Sequence, residues 1–166
     1  MAFIKHSFYV SICLMYYAGL RASEVLTLSW MNIKDRHMRI IGKGNKERIV
    51  PICDELQLVL DEWYDRQLGF LGEKPALVIS NEDGSAVSDS FFRRMVKNVL
   101  MSCGCPYELA HPHALRHSFA TRMASLGLSL LSLQKILGHS SLNTTQVYVN
   151  LADSFASSEF FNLTSI

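Results

Sequence analysis

The chain has 166 residues, 49% apolar and 19% charged, which suits one compact domain with a sizeable core and excludes general disorder. Sixteen Lys and Arg against fifteen Asp and Glu leave a formal charge of +1, which weighs weakly against phosphate binding, since phosphate-binding domains usually carry a clear excess of positive charge. The distribution is less even than the sum: basic residues gather in 43–48, 93–97 and 116–122, and acidic ones in 54–65, so one basic and one acidic face would give the same total.

From the N-terminus, the apolar run Phe8 to Ala18 is too short to span a bilayer, and Arg21 and Glu24 follow where a secretory cleavage site would need small residues. It reads as a buried helix over 3–17 with Gly19 as its breaker. A second short helix begins near Ser23, and Trp30 to Asp35 is a connector. Two β-rich runs then flank Gly42 to Lys46, the pattern of a hairpin that Pro51 closes. Leu56, Val59, Leu60 and Trp63 recur at helical spacing over 54–68, with Asp54 as a capping residue. Leu77 to Ile79 reads as a third strand. Ser88 caps a helix carrying Phe92 and Val96. Pro112 opens another helix that stops at Gly127, Ser129 to Leu137 forms a short one ended by Gly138, and 144–150 and 152–161 give two more. The fold class is α+β, mostly helical, with a three-stranded antiparallel sheet drawn from residues near 37–50 and 76–80. The four cysteines, Cys13, Cys53, Cys103 and Cys105, have neither zinc-finger nor thioredoxin spacing and read as reduced thiols of a cytosolic protein.

Several polar residues occupy positions that admit two readings. Arg21, just past a helix breaker, either covers apolar surface with its stem or binds an anion. Lys43, in Gly42-Lys43-Gly44, is either a solvated turn or a mobile cation. His113 and Arg116 share one helical face. His139 follows a helix-ending glycine, and Tyr148 lies in a short polar stretch. Taken singly, each has a structural explanation. Together, two arginines, two histidines, a lysine and a tyrosine make a phosphoryl-transfer set. Guanidinium forks match phosphate oxygens and stay charged. They offset negative charge that builds during attack. A tyrosine hydroxyl needs activation to attack, and Lys and His move the protons. No ATP-binding loop is present. His113 and His117, four apart, could also share a metal ion, but no carboxylate or cysteine lies near in sequence to complete a site.

Gly19-Leu20-Arg21-Ala22-Ser23-Glu24, Gly42-Lys43-Gly44-Asn45-Lys46-Glu47-Arg48, His111-Pro112-His113-Ala114-Leu115-Arg116-His117, and Leu137-Gly138-His139-Ser140 with Thr144-Thr145-Gln146-Val147-Tyr148 occur in this order. They resemble the successive signature blocks of tyrosine recombinases, nearest the Xer-like and phage or plasmid integrase branch. The resemblance runs over roughly residues 8–150. It implies a site-specific recombinase that cleaves DNA without metal or cofactor. Tyr148 would form a 3′-phosphotyrosyl bond, Arg21 and Arg116 would clamp the scissile phosphate, and His139 would contact it. Lys43 would protonate the leaving 5′-oxygen, with Lys46 as the rival acid. His113 would assist proton transfer at Tyr148, and Glu24 would hold an arginine in place. Lys46 and Arg48 would contact DNA.

The resemblance also implies that residues 1–166 form the catalytic domain, without the N-terminal core-binding domain common in the family. Further expectations are duplex DNA as partner, a tetramer on DNA joined through the aromatic tail after Tyr148, no membrane, and the cytoplasm of a bacterial, phage or plasmid host. Two alternatives stay open: a type IB topoisomerase-like relaxing enzyme, and a DNA-binding module without catalysis.

Overall fold

The structure is a computed structural model that describes residues 2–42 and 44–138. Its elements are α1 (Ala2–Ala18), α2 (Ala22–Thr27), a 3-10 turn (Trp30–Asn32), β1 (Ile33–Lys34), β2 (His37–Ile41), β3 (Glu47–Pro51), α3 (Asp54–Leu71), α4 (Asp89–Ser102), α5 (Pro112–Ser125) and α6 (Leu130–Leu137). The α+β class expected from the sequence is the class observed. None of the described helices is long and apolar enough to cross a membrane.

The main core is built around α1. Val10, Leu14 and Met15 are fully buried, together with Leu56, Leu60 and Trp63 of α3 and Phe92 and Val96 of α4. Each such side chain contributes about 1.5–3 kcal/mol when withdrawn from water. Phe119, Ala120 and Ala124 of α5 form a second cluster with Leu133 and Leu137 of α6. The α1–α5 junction requires glycine at position 19. Its φ is +64°, and a Cβ there would lie 2.4 Å from Phe119 Cδ1. The breaker therefore ends α1, admits α5 and presents Arg21 in one step.

The sheet is antiparallel with order β1-β2-β3. Met38 pairs with Ile33 on one side and with Val50 on the other, and Ile40 faces Arg48. The third strand is therefore Ile33–Lys34, in the segment expected to be a connector, and not 76–80. A two-residue turn, Asp35-Arg36, joins it to β2 with φ of +50° and +62°. Both signs are positive, as the twist of a tight hairpin demands. Arg36 holds this left-handed geometry while ion-paired to Asp54. Residues 77–79 pair with the segment after α2 instead: Val78 N–H donates to Leu28 O at 2.9 Å, and Ser29 bridges Leu77. Buried Gln67 ties that segment down, donating to Leu77 O (3.1 Å) and Ser80 Oγ (2.9 Å) and accepting from Trp30 Nε1 (2.8 Å).

Two helix starts differ in detail from expectation. Cys53, not Asp54, is the N-cap of α3, and Ser88 is the N-cap of α4 without a side-chain bond. Pro112 does open α5, and Gly138 ends α6 with φ of +64°. The helices expected over 144–150 and 152–161 lie outside the described residues.

Candidate active site

Arg21 is the extended residue between Gly19 and α2. Three residues on, Glu24 folds back: its Oε2 accepts the Arg21 N–H at 2.8 Å and its Oε1 accepts Arg21 Nη1 at 2.9 Å. From β3, Arg48 donates Nη1 and Nη2 to the two carboxylate oxygens at 2.7 and 2.8 Å. Arg116 Nη1 lies 3.9 Å from Oε2. One buried carboxylate thus faces three guanidinium groups. Burial alone raises its pKa, but the Arg48 hydrogen bonds and the Arg21 amide outweigh that and hold it below the ordinary carboxylate range.

The same arginines close the C-terminal end of α6. Arg48 Nε donates to Ile136 O (2.6 Å), Arg116 Nη2 to Leu137 O (2.6 Å) and Arg21 Nη2 to Gly138 O (3.4 Å). Arg116 Nη1 also donates to Gly19 O at 2.6 Å, just past the end of α1. Helix ends leave such carbonyls unpaired and partly negative, which suits a cation. A Cβ at Gly138 would meet Arg48 Cδ at 2.9 Å, so glycine there admits the Arg48 stem.

Arg116 and His113 stand on α5, whose start is fixed by Pro112 and by His111, which accepts the Ala114 N–H at Nδ1 (3.2 Å). Arg21, Ser23, Arg93, Pro112, His113 and Arg116 line one small cavity of about 80 Å³. The pKa of His113 is lowered, first by burial and then by the positive charge of Arg116. A wider groove of about 720 Å³ runs between the 3-10 turn and α3. Its lining mixes Lys34, Asp35, Asp61 and Lys74 and includes none of the candidate residues.

The structure therefore brings Arg21, His113 and Arg116 to one cavity, with Glu24 behind the arginines. Arg48 departs from expectation. The resemblance implies a DNA contact, yet its side chain is only 9% exposed and fully engaged with Glu24 and Ile136. Period-two alternation along β3 carries the signal that finds this: Val50 points inward, so Arg48 does too, and Ile49 is left exposed. Lys46 is exposed in the hairpin turn, where its carbonyl accepts the Gly42 N–H at 2.8 Å. Lys43, His139 and Tyr148 lie outside the described residues. Arg93 also lines the cavity, and nothing in its sequence spacing links α4 to the other lining residues. Among the described residues no three His, Cys, Asp or Glu side chains gather to hold a metal ion.

Residues 3–154 match the model of the phage integrase family. The chain is 40% identical over 140 residues to the tyrosine recombinase XerC of Histophilus somni, covering 83% of this chain and 47% of that protein. It is 38% identical over 151 residues to the tyrosine recombinase XerD of Xanthomonas campestris, covering 84% and 46%. Among solved structures, the site-specific recombinase XerH bound to its difH substrate in a pre-cleavage complex superposes with a TM-score of 0.76 at 29% identity, over 89% of this chain and 44% of that one. The chain spans about half the length of the curated relatives it matches.

Proposed function

We propose, since this chain belongs to the phage integrase family, that it breaks and rejoins duplex DNA at specific sites. The observation that carries this reading is the shared cavity of Arg21, His113 and Arg116, three cationic or proton-moving groups from two separate elements. Arg21 and Arg116 would bind the two non-bridging oxygens of the scissile phosphate. Their charge would be worth most as negative charge builds in the transition state. The Tyr148 hydroxyl attacks phosphorus, the bond from phosphorus to the 5′-oxygen breaks, and a 3′-phosphotyrosyl ester forms. His113 takes up the tyrosyl proton, Lys43 delivers one to the departing 5′-oxygen, and His139 donates to the phosphate. Attack by a second 5′-hydroxyl reverses these steps and joins new partners, so no energy source is needed. Glu24 and Arg48 position the guanidinium groups and touch no DNA. Lys46 contacts the DNA backbone from the hairpin. In this reading residues 1–166 are the catalytic domain, four copies assemble on DNA through the segment after Tyr148, and the reaction runs in the cytoplasm of a bacterial host.

Covalent capture tests it. The intact gene product is mixed with nicked duplex DNA from its own genomic neighbourhood and denatured. A protein–DNA adduct is expected, and Tyr148→Phe should abolish it. DNA binding with no adduct would favour a non-catalytic module, and relaxed circles without strand exchange would favour a topoisomerase.

The rate of adduct formation should also depend on pH through His113. Its folded pKa lies below the ordinary histidine value, so the imidazole is neutral at pH 7 and able to take a proton. The rate should fall as pH drops through that lowered value, because protonation removes the base. The acidic limb should vanish in His113→Gln, whose residual rate would be about 100-fold or more lower. An unchanged limb in the variant would assign the titration elsewhere.

A further inference from the structure

The arginines that line the cavity, and Arg48 behind them, differ in how many of their nitrogens are already engaged. Arg48 has all three nitrogens engaged. Arg116 donates both terminal nitrogens to main-chain carbonyls and is 4% exposed. Arg21 holds Glu24 with one terminal nitrogen and reaches Gly138 O with the other. Arg93 is different. It reaches the cavity from α4, facing residues of α2 and α5. Among the described residues its hydrogen-bond partner is Asp89, one turn earlier, which accepts from Nε at 2.6 Å. Both terminal nitrogens carry no hydrogen bond among the described residues. The pair is open to water, with side chains 46% and 53% exposed.

An i,i+4 pair of this kind is weak and screened by salt. A phosphate oxygen offers a guanidinium fork a stronger, charge-assisted partner. The cavity, at about 80 Å³, exceeds the roughly 30 Å³ share of one water and is bounded by arginines on more than one side.

We propose that Arg93 is a further phosphate-binding residue of this site, held by Asp89 in the free protein and transferred to a DNA phosphate in the complex. This rests on the reading of the cavity as a DNA-cleaving site and names a contact which that reading does not need. Because the terminal nitrogens meet backbone oxygens, the contact is independent of base sequence.

The test is equilibrium binding of the full chain to a short duplex oligonucleotide across a salt series, with Arg93→Ala and Asp89→Asn alongside wild type. Loss of one phosphate contact should flatten the slope of log K against log salt by about 0.9 and weaken binding about tenfold at low salt. Asp89→Asn frees Arg93 and removes a negative charge beside the DNA, so binding should tighten several-fold. The signs are opposite. If the ion pair served only to hold α4 together, both variants would lose it and shift alike. Shifts of the same sign, or no change of slope in Arg93→Ala, would overturn the proposal. Arg93→Lys, which keeps the charge, should retain the slope. Failure of the underlying reading shows separately, as absence of the covalent adduct in wild type while the salt slopes can still be read.

Discussion

Glu24→Ala is expected to destabilise the protein by about 3–5 kcal/mol, the usual effect of stranding a buried charge. The carboxylate is 4% exposed and binds Arg48, itself 9% exposed, through both terminal nitrogens. It also orients Arg21 and lies near Arg116. Without it, three cations would converge on the end of α6 with only carbonyls to receive them. Urea unfolding should show a lower midpoint with an unchanged slope. Glu24→Gln keeps the shape and one acceptor oxygen, so it should unfold less readily than the alanine variant. It should nevertheless cleave DNA slowly, since Arg21 loses its anchor. The sign of the pH effect follows from the lowered carboxyl pKa. Below the ordinary carboxylate range the unfolded chain binds a proton that the folded protein refuses. The stabilisation by Glu24 is therefore complete above that range and lost as pH falls through the folded value. Glu24→Gln should remove this part of the acid limb. A midpoint equal to wild type in Glu24→Ala at neutral pH would mean that the arginines are held by other means.

The sequence displayed most of the frame because its punctuation is local. Gly19, Pro112, Gly127 and Gly138 mark boundaries that depend on backbone geometry alone, and the structure has breaks or starts at each. The third strand was not legible for the same reason in reverse. Its turn, Asp35-Arg36, uses two side-chain-bearing residues at positive φ where Asn-Gly would be the recognisable signal. The apolar run at 77–79 reads as a strand from composition, but what it pairs with is a tertiary matter. At the site, the residues could be named from the signature blocks, while their allegiance could not. Arg48 reads from its block as a DNA-contacting cation, and it is the inward face of β3, shared with Val50, that gives it to Glu24. Arg93 shows the opposite case. Its neighbours in sequence, Arg94 and Lys97, lean on the rings of Phe91 and Tyr107, and only the packing of α4 sets Arg93 apart at the cavity.

Arg116→Lys is expected to slow adduct formation by about 100- to 1000-fold, the scale seen when one preorganised donor to a developing oxyanion is removed. Two separate losses follow from the geometry. The guanidinium bridges Gly19 O and Leu137 O, both at 2.6 Å. These carbonyls lie at the ends of α1 and α6, so the bridge fixes how the two helix ends meet beside the cavity. A lysine ammonium is a single point on a flexible stem and cannot span both. One buried carbonyl would be left unpaired, at about 1–3 kcal/mol. The second loss concerns the proposed mechanism: the rigid guanidinium holds its remaining N–H hydrogens in fixed directions toward a phosphate oxygen, and a lysine ammonium on its flexible stem does not. The two losses can be separated by temperature. Cooling to where circular dichroism shows the variant folded should restore binding of duplex DNA, because much of the remaining charge is in place. Cleavage should stay slow, because the donor geometry is missing at any temperature. A folded Arg116→Lys protein that forms adduct at the wild-type rate would show that charge alone suffices at this position and would remove the clamp from the mechanism.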